Sequence, residues 1–479
     1  MMNFGSIAHL VTSSRNCISL IHASKKHMHH FSTLTTSLHT DKVTGELLVV
    51  VGGGAAGIYG AIRAKSMAPH LEVVVLEKGR PLSKVKISGG GRCNVTNGHF
   101  LDNISIVDNY PRGYRELKGS FFTQHGPEDT ISWFSQHGVP LKVEDDGRVF
   151  PISNTSSSVV ECLLSEAKAL SVSLQTGKTV TEASIDSDGR FKVKVENRSA
   201  NLLEHKLADY LLIASGSSPQ GYKLATQLNH SIIEPMPSLF TFKIDDPHLS
   251  QLSGISFEKV EAKLKVKNSS KNSLHLKQVG PMLITHWGLS GPVVLRLSAW
   301  GARDLFASSY EAILEVDFAP DHHVEEVKQI LVKCKQNASK QKLVNSFPSE
   351  FGIVKRFWKY ILDREKINPD SLWGSLSSLS LASAARLLKR CTFVVNGKGQ
   401  FKDEFVTSGG VPLSEVFIDT MESRKCPKLF FAGEVLNVDG VTGGFNFQNA
   451  WSSGFIAGTN IAAFSCHRVA TQTNSIACM

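Results

Sequence analysis

The sequence predicts an α/β fold: a βαβ dinucleotide-binding unit, then a separate β-rich and helical module, then a return to the first style near the C-terminus. Three observations predict it. An apolar run, a glycine turn, a small-residue helix and a second apolar run follow one another over 47–77. From about residue 231 the text changes to short alternating strands and then amphipathic helices. Near residue 429 the first style returns, as a buried strand, a glycine-rich loop and a helix full of Ala, Ser and Gly.

The first forty residues stand apart. They hold no Asp or Glu, three Lys/Arg and twelve Ser/Thr, the composition of an organellar transit peptide. The many serines point to a chloroplast in preference to a mitochondrion, and the missing apolar core argues against secretion. Without this segment the charge excess falls from nine to six. Spread over the remaining chain, that excess argues against a nucleic-acid partner. The densest basic run, 259–277, alternates like a solvated strand face. No stretch approaches the ~20 apolar residues of a membrane helix. Eight cysteines form no CxxC pair, so neither a zinc ribbon nor a dithiol redox pair is expected, and no metal site is assigned.

In "LLVVVGGGAAGIYGAIRAK" the glycines Gly52, Gly54 and Gly57 match G-x-G-x-x-G between two buried strands, and Glu77 ends the second strand. Gly52 permits the tight turn and Gly54 lets backbone N–H groups approach a pyrophosphate. Gly57 lets the helix pack on the strand, and Glu77 can accept hydrogen bonds from ribose hydroxyls. The chain therefore binds a dinucleotide.

The next segments read as helices in "GPEDTISWFSQHGV" and "SNTSSSVVECLLSEAKAL". Strands follow in "VSLQTGKTVTEASID", "RFKVKVEN" and "ADYLLIASGSS", the last running into a small-residue turn at 214–218. "SLFTFKID", "VEAKLKVKN", "SLHLKQVG" and "MLITHWG" read as antiparallel strands of the central module. "HHVEEVKQILVKCKQNASK", "FGIVKRFWKYILDRE" and "SLASAARLLKR" supply its helices.

The loop "KISGGGRCNVTNG" has no buried strand of its own before it, so it is not a second dinucleotide site. Its glycines let backbone press against the same cofactor, with Asn94 and Thr96 as polar contacts. Arg92 serves either as a phosphate or substrate contact or as a structural ion pair. Cys93 reads as a buried thiol beside the cofactor, and no second cysteine nearby supports a disulfide relay. His286, in "THWGLSGP", is either a proton donor or part of a structural corner. The same stretch is not G-x-S-x-G, which excludes a hydrolase nucleophile at Ser290.

Five stretches, "KISGGGRCNVTN", "GRVFP", "THWGLSGP", "VTSGGV" and "FAGEVLNVDGVTGGFNFQNAWSSGFIAG", together resemble the BaiN/YhiN-type flavoproteins, which include an aminoacetone oxidase and a bile-acid reductase. The resemblance runs from about Leu47 to Phe464. It implies a Rossmann-like, glutathione-reductase-type FAD domain split by an inserted β-barrel plus helices. The parts are 41–230 and 405–466 for the FAD domain, 231–404 for the inserted substrate module, and a frayed tail at 467–479.

Gly52, Gly54, Ala56 and Gly57 then form the pyrophosphate turn, with Glu77 and the adjacent Lys78 at the adenosine ribose. Val180 offers backbone to the adenine, and Gly216 lies in a turn that departs from the family's ATGG-like pattern. Gly433 and Glu434 meet the ribityl chain; Gly444, Phe445 and Asn446 begin the helix near the flavin edge. Asn437 stands where an Asp is expected. The implied function is an FAD-dependent oxidoreductase moving hydride to or from a small organic substrate, with NAD(P)H or oxygen as redox partner. The alternatives are a flavin-dependent tRNA-modifying enzyme and a flavin-binding redox sensor.

Overall fold

The computed structural model describes residues 45–100, 105–197, 202–266, 274–399 and 406–477. The proposed transit peptide lies outside them. The strands β1 (Leu47–Val51), β2 (Glu72–Glu77), β3 (Ser173–Thr176), β4 (Tyr210–Ile213) and β5 (Leu429–Phe431) form the parallel part of a seven-stranded sheet in the order β5-β4-β1-β2-β3, which Glu422–Ser423 and Val416–Phe417 continue antiparallel beyond β5. Val49 of β1 pairs with Leu211 on one side and Val74 on the other. β1 is flanked on both edges and covered on both faces, which is why it reads as an unbroken apolar run.

The helix α1 (Ala55–Met67) follows β1, and α2 (Phe445–Ala477) closes the chain against it. Their backbones touch. A Cβ at Gly454 would lie 2.6 Å from the Ala56 carbonyl oxygen, so only glycine allows this crossing. The small residues of the last helix are thus a packing device. Among the described residues α2 runs on to Ala477. No Gly or Pro interrupts it after Gly458, and Arg468 Nη1 anchors it to Glu46 Oε1 at 3.0 Å and Asp209 Oδ1 at 3.4 Å.

The inserted module begins and ends at one place: Ile233–Ser238 pairs antiparallel with Val406–Gly410. Between them lies a closed six-stranded barrel. Its order is Phe242–Lys243, Gly288–Ser290, Lys277–Thr285, Ser256–Val266, Glu311–Asp317 and Cys391–Lys398. The helices Val324–Asn337, Lys355–Arg364 and Ser378–Lys389 form a lobe on the barrel, with Phe357, Trp358 and Trp373 in its core.

Tyr59 of α1, His125, Phe134 and Trp451 of α2 form a buried aromatic cluster, with half-buried Trp133 at its edge. His125 Nε2 is hydrogen-bonded to Tyr59 Oη at 3.1 Å, and its ring stacks on Phe455 at 4.3 Å. Burial, reinforced by the Arg63 charge, pulls its pKa from 6.5 down to about 3. The folded protein therefore keeps His125 neutral where the unfolded chain takes up a proton. Its contribution is complete above pH 6.5 and is lost as pH falls towards 3, at about 1.4 kcal/mol per pH unit. Urea unfolding at pH 6.5 and pH 5 is expected to differ by about 2 kcal/mol from this residue alone. His125→Phe should flatten that slope; an unchanged slope would contradict the assignment.

Candidate functional site

The site begins where β1 turns into α1. Gly54 is the N-cap, with no side-chain cap, and no acid occupies the first turn. The first N–H groups of the helix are thus left to whatever binds there. A Cβ at Gly57 would collide with the Gly52 carbonyl, whereas one at Gly54 would meet no atom within 4 Å. The turn is tight on the protein side and open on the other. Glu77, at the end of β2, receives backbone N–H groups on both oxygens, from Gly53 at 2.7 Å and Gly79 at 2.7 Å. A carboxylate has about four acceptor positions, so acceptor capacity is left for hydroxyl groups. Lys78 Nζ donates to Ser218 Oγ at 3.2 Å.

A second wall comes from the far end of the chain. A Cβ at Gly433 would lie 2.9 Å from that of Ala56, and Gly433 N donates to Ser453 Oγ of α2 at 2.8 Å. Glu434 Oε1 accepts from Thr407 N at 3.0 Å, and Oε2 from Lys84 Nζ at 2.8 Å. Gly216, with φ +59°, faces that same carboxylate. Gly52, Gly54, Ala56, Gly57, Glu77, Gly216, Gly433 and Glu434 are therefore brought together around the start of α1. Val180 lies in Lys178–Ile185, buried and paired with Val195, on a strand packed beside β2.

The glycine loop after β2 adds the third side. Its helix is regular to Ile87; Gly89, Gly90 and Gly91 then take φ of 57°, 68° and 86°. Cβ positions at Gly90 and Gly91 face open space. Arg92 takes the structural alternative: Nη1 pairs with Glu144 Oε1 at 2.7 Å, and the guanidinium lies 3.9 Å over the Phe150 ring. Asn94 Oδ1 accepts from Val149 N at 3.3 Å, tying the loop to a small sheet of Thr96–Asn97, Leu141–Val143 and Arg148–Pro151. Cys93 is fully buried, and burial pushes its thiol up to about 12. It is an inert packing group at neutral pH.

Thr96 faces the other way. Its Oγ1 donates to Gln448 Oε1 at 2.5 Å, and Asn97 Nδ2 donates to Gly443 O at 3.1 Å. A Cβ at Gly444 would collide with the Thr96 backbone, so the loop before α2 rests directly on this strand. Asn446 closes that loop on itself: Oδ1 accepts from Gly440 N and Nδ2 donates to Gly440 O, both at 2.8 Å.

The segment 109–113, "NYPRG", clasps the same loop, which sequence reasoning missed. Tyr110 Oη donates to Phe445 O at 2.7 Å, and Val441 N to Asn109 O at 2.9 Å. Arg112 forms a buried ion pair with Asp439 and donates through Nη1 to Ala299 O of the inserted module at 2.6 Å. Ser238 Oγ donates to Asp439 Oδ2 at 2.7 Å. The acid looked for at Asn437 stands two residues later, in a structural role.

His286 sits at an exposed two-residue hairpin corner between Lys277–Thr285 and Gly288–Ser290. No hydrogen bond or ion pair among the described residues links it to the cradle. No group of three or more His, Cys, Asp or Glu side chains among the described residues is placed to hold a metal.

Four buried side-chain atoms border the cradle with no hydrogen-bond partner among the described residues: Ser215 Oγ, Ser408 Oγ, Asn437 Oδ1 and Asn449 Oδ1. Ser215 adjoins Gly216, Ser408 adjoins the Thr407 that holds Glu434, and Asn449 lies in the first turns of α2. Buried polar groups are normally paired. Together with the uncapped helix start and the open faces of Gly54, Gly90 and Gly91, these orphans fit a bound dinucleotide of FAD size.

Comparison with known proteins agrees. Residues 46–460 match the family model described as the HI0933-like protein Rossmann domain. The chain is 28% identical over 422 residues to the 3-dehydro-bile acid delta(4,6)-reductase of Clostridium scindens, covering 85% of this chain and 97% of that protein. It is 28% identical over 432 residues to the ribosomal RNA dihydrouridine synthase of Haemophilus influenzae, covering 86% and 98%. The Escherichia coli enzyme of the same name matches at 28% over 427 residues, covering 87% and 98%. With its cradle, its split sheet and its barrel all inside the matched region, the chain belongs to the HI0933-like family and is an FAD-dependent oxidoreductase.

Proposed function

We propose that this enzyme adds hydride and a proton across a carbon–carbon double bond conjugated to a carbonyl. The observation that carries the reading is a reaction shared by the relatives' names: a 3-dehydro delta(4,6) reduction and the conversion of uridine to dihydrouridine both saturate such a bond. Both relatives align across cradle and inserted module alike. Bound FAD supplies the hydride.

The chain's residues hold and orient. Gly52, Gly54, Ala56 and Gly57 at the start of α1 take the pyrophosphate, and Glu77, with Lys78 nearby, takes the adenosine ribose. Val180 supplies backbone to the adenine, and Gly216, Gly433 and Glu434 line the ribityl side. Gly444, Phe445 and Asn446, fixed by Thr96 and the 109–113 clasp, present the start of α2 to the ring, where its N–H groups favour negative charge. His286 is the proton-donor candidate on the inserted module. NADH or NADPH is the proposed reductant, entering at the module because the chain carries one dinucleotide motif. The acid-free first forty residues support work in an organelle, a chloroplast in preference to a mitochondrion.

A nucleobase in RNA is a second substrate for the same reaction, favoured by two relatives named for ribosomal RNA. The low overall charge does not exclude it. The test is anaerobic: protein reduced with NADH, NADPH or dithionite is mixed with a steroidal 4-en-3-one, with uridine, or with RNA. Return of the oxidised flavin spectrum with at least one is expected; none reoxidising it would overturn the reading. Glu77→Ala is expected to weaken FAD retention ten- to a hundredfold, since charge-assisted hydrogen bonds contribute about 1.5–3 kcal/mol. Equilibrium dialysis of FAD measures it, and unchanged retention removes the role of Glu77.

A further inference from the structure

The chain's positive charge is not spread evenly. Between residues 324 and 390, the helical lobe of the inserted module, thirteen Lys/Arg face six Asp/Glu. That excess of seven exceeds the excess of six carried by everything after residue 40, so the remainder of the chain after residue 40 is close to neutral. The boundaries of the lobe helices make this visible; the full-length average hides it. Lys333, Lys340, Arg356, Lys359, Lys366 and Arg386 are exposed and form no ion pair among the described residues.

Part of this charge gathers at one corner. Lys355, Arg356 and Lys359 occupy the first turns of Lys355–Arg364, with Lys355 and Lys359 one above the other. The loop carrying Lys340 and Lys342 packs against that helix: Trp358 Nε1 donates to Leu343 O at 3.1 Å, and Lys355 Nζ to Asn345 Oδ1 at 3.1 Å. Lys342 has Asp370 as partner, at 3.0 Å; Lys340, Arg356 and Lys359 have no ion-pair partner among the described residues. No acid stands in the helix's first turn to offset its two cations. Cations there oppose the helix dipole, so folding alone gives no reason for this arrangement.

We propose that this corner of the helical lobe docks the phosphate backbone of an RNA and so delivers a nucleobase to the reductase site; the delivery rests on the function proposed above, the docking does not. The contact is electrostatic and independent of sequence, as phosphate contacts are, and is expected to weaken steeply with salt. Charge complementarity and the two ribosomal RNA-directed relatives favour RNA over other polyanions.

The experiment uses the full chain loaded with FAD, a fluorescein-labelled ribosomal RNA stem–loop read by anisotropy, and phosphatidylglycerol vesicles in a parallel arm. The variant K355E/R356E/K359E should bind the stem–loop at least tenfold more weakly, with the slope of log affinity against log salt reduced by about 2–3. Its flavin spectrum and reduction of a small enone should stay unchanged, and the neutral K355Q/R356Q/K359Q variant should fall between. Equal RNA affinity in wild type and variant would overturn the proposal, as would binding to vesicles without binding to RNA. If the wild type binds RNA through these residues yet reduces no enone or uridine, the docking surface stands and the proposed reaction fails.

Discussion

Asp439→Ala is expected to destabilise the protein by about 3–5 kcal/mol, because it strands the Arg112 guanidinium without its counter-charge. Arg112 is already under pressure: burial, aided by the nearby Arg303 charge, pulls its pKa down to about 9. Its remaining partners, Ala299 O and Ser238 Oγ, are neutral. The double variant Arg112→Met with Asp439→Leu should recover much of the loss, since it removes both charges together. Denaturant unfolding of the single and double variants measures this. Because Asp439 belongs to the loop that ends at Gly444, the single variant should also release FAD, detected as flavin in the filtrate. A loss below about 1 kcal/mol would mean that the pair is no more than a surface-type bridge.

The second large effect separates two glycines three residues apart. Gly57→Ala forces a methyl group into the Gly52 carbonyl, so the turn itself must move; the protein should lose stability even without FAD. Gly54→Ala meets open space within the protein and should leave stability without FAD nearly unchanged. Its methyl group points instead to where the cofactor approaches, and FAD affinity should fall by at least about tenfold, or 1.4 kcal/mol. Thermal melts with and without FAD distinguish them. Equal behaviour of the two variants would contradict the assignment of an inner and an outer face to this turn.

The cradle was legible because its signals are local. Two apolar runs, three glycines at fixed spacing and an acid at the strand end all fall within 47–77, and each part sits where the spacing implies. The return of the sheet at β5 was legible for the same reason. The barrel's closure was not, since it depends on Phe242–Lys243 pairing with Cys391–Lys398 across the whole module. The Arg112–Asp439 pair spans 327 positions and leaves no periodic trace. Arg92 was ambiguous because its partner Glu144 arrives from a strand hairpin beyond it. The charge of the helical lobe was present in the text, yet it becomes a feature only when the helices that carry it are separated from the neutral remainder.

The central claim, that one FAD sits on the cradle at the start of α1, is tested most directly by flavin stoichiometry. Protein purified with FAD present, then freed of excess, should carry one FAD per chain, released on denaturation and identified as FAD and not FMN. A folded chain that retains no flavin, or retains it equally in the Gly54→Ala variant, would contradict the account.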